Sequence, residues 1–146
     1  MMTVTRITGH ALRAWAKGSY PIEAAVELLV RGFDGRFAGP GNPWIQDAGG
    51  ARPWLNAAAM TDDEMAPLSG GEQRFLRIVR SLAGGEPVRL GDDIPGLDRV
   101  RMQLLLAALA HAAGSHEHGG AMQFDEDGRP IGFGDAPGIL YPWPAP

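Results

Sequence analysis

Apolar side chains recur every three to four positions in four stretches of the chain, and each stretch predicts a helix with one buried face. In "GHALRAWAK", Leu12 and Trp15 share a face, Thr8 stands where it can accept from free first-turn amides, and Gly18 ends the segment. "SYPIEAAVELLVRGF" follows, with Pro21 suited to a first turn and Ile22, Ala25, Val26, Leu29 and Phe33 at helical spacing. A third helix is expected from Ser69 to about Ala83, on a stripe of Phe75, Leu76, Ile78, Val79 and Leu82. Gly84 and Gly85 then offer the left-handed residues on which helices tend to end. The fourth, "GLDRVRMQLLLAALAHAA", is introduced by Asp92 or Asp93 and Pro95. Its Leu97, Val100, Leu104, Leu105, Ala108, Leu109 and Ala112 form so broad an apolar face that it is expected at the centre of the bundle.

Elsewhere the pattern breaks. Over residues 34–56 glycine and proline interrupt every helix, and no alternation lasts long enough for a strand. A long structured loop is expected there, pinned by Phe37, Trp44, Ile45, Trp54 and Leu55. "AAAMTDDEM" suits a short helical turn, and residues 122–134 read as a hairpin about "DEDG". The tail, residues 137–146, has too much proline for a helix or central strand. It could be an extended ligand for another protein or lie along its own domain. The resulting expectation is a mainly α, single-domain four-helix arrangement over residues 1–146 with a small C-terminal β-hairpin.

Composition narrows the classes. At 146 residues, 45% hydrophobic and 21% charged, the chain can bury one core and is neither disordered nor membrane-like by composition. No apolar run approaches the roughly 20 residues of a membrane helix, and "MMTVTRITGH" lacks the apolar centre of a signal peptide. The cytoplasm is the expected compartment, with no membrane partner. The absence of cysteine removes disulfides, thiolate zinc sites and cysteine nucleophiles. Lys17 is the only lysine among 13 basic residues, a bias that fits a GC-rich genome. Residues 1–60 hold six bases and four acids, whereas residues 61–146 hold seven bases and 13 acids. Nucleic acid is therefore not expected as a partner.

In "LSGGEQRFLRIVRSLAGG", Ser69, Gly70, Gly71, Glu72 and Gln73 are followed by the acidic pair Asp92-Asp93 and by Leu97-Asp98. Residues 68–98 thereby resemble the signature helix and acidic strand end of ABC-type ATPases, which implies contact with nucleotide. Hydrolysis in that family also requires a glycine-rich loop ending in Gly-Lys-Ser/Thr, and the sequence has none. The apolar strand expected before the acidic pair is interrupted by Arg89, and Asp93 stands where the family has glutamate. Membership is not expected. Ser69-Gly70-Gly71-Glu72 also has the form of a capping box, in which serine and glutamate satisfy each other's backbone amides.

Other clusters carry two readings each. His111, His116 and His118 are imidazoles suited to zinc or nickel, or a solvated helix end. Arg74, Arg77 and Arg80 form a row that could grip phosphate or a partner's carboxylates, or be a solvated face. Trp44, Trp54 and Trp143, each after a proline, are either a binding surface or anchors. No catalytic frame and no cofactor motif stands out. The leading expectation is a small soluble interaction or regulatory protein without catalysis, of the kind bacteria and phages use as accessory factors, with another protein as its partner. The alternative is a ligand- or metal-binding domain using the histidine cluster or the Trp-bearing loop.

Overall fold

Helix α1 (Val4–Ala16) leads into α2 (Tyr20–Arg31), and α2 also packs against α4 (Gly70–Gly84) and α6 (Arg99–Ala112). The computed structural model describes residues 4–146, apart from the side chain of Thr5; residues 1–3, assigned above to the same domain, lie outside the described residues. Two one-turn helices, α3 (Asp62–Met65) and α5 (Leu90–Asp93), lie in the connections on either side of α4. Four main helices with a small C-terminal hairpin make the chain mainly α.

The core is centred on α2 rather than on α6. Ala24, Ala25, Val26, Leu28 and Leu29 are all buried, so α2 meets neighbours around most of its circumference. Leu12 of α1, Phe75, Leu76 and Val79 of α4, and Leu104, Leu105 and Ala108 of α6 close around it. Each fully buried leucine there contributes about 1.5–3 kcal/mol. By contrast, Val100 and Leu109 of α6 are exposed, because that helix is apolar on nearly every side while only one side faces α2.

Two helix starts differ from expectation. Thr8 lies inside α1, where its hydroxyl donates to the Val4 carbonyl one turn back at 2.9 Å instead of capping the first turn. Asp98 caps α6, accepting from the Arg101 amide at 2.8 Å, because Asp92 and Asp93 belong to the separate turn α5. The ends of α4 fall where the sequence puts them, with Ser69 as cap and Gly85 left-handed beyond the last turn.

The segment 34–56 is more regular than an irregular loop. A kinked turn (Gly32–Ala38), left-handed at Phe33, Asp34 and Gly35, is followed by an antiparallel pair, β1 (Ile45–Asp47) and β2 (Pro53–Leu55). Three-residue strands are too short to show alternation. The Asp47 carboxylate makes the turn by accepting from the amides of Gly49 and Arg52 at 2.8 and 3.1 Å. Phe37, Trp44, Ile45 and Leu55 are buried anchors, as expected, and the Trp44 indole donates to the Phe37 carbonyl at 2.9 Å. Phe33 leaves the α2 stripe altogether. It adopts a left-handed backbone, φ 51°, and packs edge-on against Phe37 and Phe75 with Arg101 4.1 Å above its ring. Those contacts offset a conformation that costs a bulky residue roughly 1–3 kcal/mol. Gly32 precedes it because a Cβ there would come within 2.6 Å of the Phe75 ring.

The C-terminal hairpin pairs β3 (Met122–Phe124) with β4 (Pro130–Phe133) inside the expected 122–134 segment. The tail then returns to its own domain. Arg31 donates to the Pro144 carbonyl at 3.1 Å, and its guanidinium lies 5.0 Å from the Trp143 ring. Among the described residues no helix is long and apolar enough to cross a membrane.

Candidate functional site

Helix α6 ends at Ala112, and Gly114 reverses the chain in a left-handed conformation, φ 76°. A Cβ at Gly114 would lie 3.0 Å from the Tyr20 ring, so glycine suits both the backbone angle and the close approach. Ser115 then donates to the Ala110 carbonyl at 2.7 Å, fixing the short 3-10 turn Ser115–Glu117. This reversal lays the His116 ring over His111, with centroids 3.9 Å apart and planes 12° from parallel. Tyr20 meets the edge of the pair, 4.8 Å from His116 and 6.1 Å from His111.

Glu23, from the first turn of α2, completes the group. Its Oε1 lies 2.8 Å from His111 Nε2, while Oε2 accepts from the Gly18 amide at 2.8 Å. Partial burial alone would raise its pKa. The Gly18 amide, the His111 hydrogen bond and the two imidazoles outweigh that, holding the carboxyl below its usual value. The ligand-type atoms of Glu23, His111 and His116 all lie within 4.8 Å of one another. Beside them is a cleft of about 270 Å³, lined also by Glu27, Ala107, Tyr141 and Trp143. His116 Nδ1 is buried there without a hydrogen-bond partner.

The expected trio of His111, His116 and His118 is thus only partly assembled. His118 follows the 3-10 turn in an extended conformation and is exposed, so it is not part of the group. Glu23 takes the third place. It lies 88 positions before His111, and no local spacing could have pointed to it.

The arginine row is engaged within the protein. Arg77 binds the buried Asp93 carboxylate through Nε and Nη2 at 2.9 and 2.8 Å. Arg80 donates to the Met60 carbonyl at 2.9 Å and to Asp62 at 3.1 Å, tying α4 to the start of α3 and the segment before it. Arg74 lies along the Gly96 backbone, where a Cβ would meet its Nη1 at 2.6 Å. At the start of α4, Ser69 Oγ accepts from the Glu72 amide at 3.2 Å, and Glu72 accepts from the Ser69 amide at 3.0 Å. The Ser69 amide, with Arg36 nearby, holds the Glu72 carboxyl below its usual value despite some burial. Residues 87–93 form no strand, and Asp93 sits in the turn α5.

The three tryptophans are separated. Trp44 is in the core and Trp143 packs beside His111 at 6.1 Å. Trp54 is half-buried, 6.3 Å from Trp15, and with α1 it borders an open apolar groove of about 570 Å³.

A surface that sequence reading missed lies at the C-terminal end. Met122, Phe124, Ile131 and Phe133 are 42%, 60%, 63% and 71% exposed, although the hairpin turn is well made. Its Asp125 carboxylate accepts from the amides of Asp127 and Arg129 at 3.0 and 2.8 Å. Ile139 and Leu140 are exposed just beyond. The available signal was four large apolar residues with no second layer in sequence to cover them. Compared with known proteins, the chain matches no family model, no curated protein and no solved structure.

Proposed function

We propose that this chain is a small interaction or regulatory protein that acts without catalysis, as a cytoplasmic accessory factor, by docking another protein on its C-terminal hairpin. The observation that carries this reading is the hairpin itself. A two-stranded sheet is marginal in water and normally needs a further layer. Here Met122 stands directly across from Phe133, and both side chains face solvent. Contiguous exposed apolar surface of this kind marks a site that another surface covers.

Charge defines the partner's chemistry. Residues 115–146 contain five acids (Glu117, Asp125, Glu126, Asp127, Asp135) and one arginine, Arg129. An apolar surface rimmed by basic residues complements this; an anionic lipid surface is repelled. The test is a photocrosslinking residue at Phe133 or, as control, at exposed Asp63, expressed in the native host. A discrete heterologous adduct from Phe133 alone, lost when Phe124→Ser is added, is expected. No adduct above the control, or one of twice the chain mass, contradicts the reading. Saturable turnover by the purified chain would overturn the non-catalytic part of it.

A further inference from the structure

From Glu23, His111 and His116 we infer a second site, independent of the hairpin, that binds one divalent transition-metal ion of the zinc type. Two imidazole nitrogens and one carboxylate oxygen are the donor set preferred by zinc and nickel and not by calcium or magnesium, which select oxygen. Three separate segments supply the ligands: the first turn of α2, the end of α6 and the turn after Gly114. Each is held by its own support. Gly18 orients the Glu23 carboxylate, α6 carries His111, and the Ser115 hydroxyl anchors the turn that presents His116. Such supports outside the ligand set are what fix ligand orientation in metal sites.

The present geometry also says what binding requires. Parallel rings cannot aim lone pairs at one ion, so His116 must turn out of its stack on His111. That rotation breaks no hydrogen bond at Nδ1, which has none. The Glu23–His111 pair, at 2.8 Å, must open by about 0.5 Å to reach the donor spacing of a tetrahedral ion bound at about 2.0–2.1 Å. The cleft that borders His111 and His116 is large enough to admit water or a small ligand beside them.

The experiment titrates chelator-stripped protein with zinc chloride and nickel chloride in equilibrium dialysis with elemental detection. One equivalent per chain is expected. Affinity should fall at least about tenfold in Glu23→Gln and in His116→Gln and stay unchanged in His118→Ala, with magnesium chloride not retained. Because a variant could lose its fold, ring-proton NMR of the unaltered protein is the second readout: zinc should shift the His111 and His116 signals and leave His10 and His118 in place. No stoichiometric binding, undiminished affinity in His116→Gln, or shifts confined to His10 and His118 would overturn the assignment.

Discussion

Ser69 and Glu72 satisfy each other's backbone amides at the start of α4, and Glu72 also reaches Arg36. Removing the serine hydroxyl in Ser69→Ala should cost about 1 kcal/mol in urea unfolding and leave partner docking intact. Loss of docking without loss of stability would mean that the stretch resembling a nucleotide signature does more than start a helix. A larger effect is expected at Arg77. Its guanidinium is the partner of a carboxylate buried at Asp93, and Arg77→Ala strands that charge at a cost of about 2 kcal/mol. The double variant Arg77→Ala/Asp93→Ala should be less destabilised than the sum of the singles, measured in a double-mutant cycle. Composition alone could not assign these arginines their partners: Arg77 looks like its neighbours in sequence, and only the position of α5 puts Asp93 beside it.

Among the elements, the four long helices were legible because burial on one side imposes a 3.6-residue period, and α4 announced both ends through its cap and glycines. The pair β1–β2 was not, since a three-residue strand has no period to read and its turn depends on one Asp47 carboxylate. Which helix is central was also hidden. The wide apolar stripe of α6 pointed there, yet the small residues Ala24 and Ala25 let neighbours approach α2 from several sides. Leu28→Ala in α2 should therefore cost about 2–5 kcal/mol in denaturant unfolding. The C-terminal hairpin should behave in the opposite way. Phe124→Ser, at an exposed position, should change stability by no more than about 0.5 kcal/mol while abolishing the partner adduct formed from position 133. A large loss of stability would show that the hairpin already has its covering layer within the chain.

For the whole molecule, ion pairs link segments far apart in sequence and make stability depend on pH. Burial would raise the pKa of Glu27, but hydrogen bonds and charge from Arg13 and Arg31 outweigh it, and the carboxyl is held low; Glu23 and Glu72 are held low as well. Folded values below the unfolded value of about 4.3 mean that the unfolded chain binds more protons in this range. The stabilisation is complete above that value and is lost as pH falls through the depressed folded values. Melting temperature should hold level from about pH 7 to 5 and drop below about pH 4, with a shallower drop in Glu27→Gln. The same arginine, Arg31, joins Glu27 to the returning tail at Pro144 and Trp143, while Ile139 and Leu140 of that tail stay exposed. The sequence by itself determined the helices, the α4 cap, the C-terminal hairpin and the anchoring of residues 34–56, because periodicity, capping and turn chemistry act over a few residues. Only the tertiary structure decided that α2 is the hub, that Glu23 and not His118 joins His111 and His116, and that the apolar side chains of the hairpin are exposed among the described residues. Those outcomes depend on which distant surfaces meet, and local spacing carries no record of that.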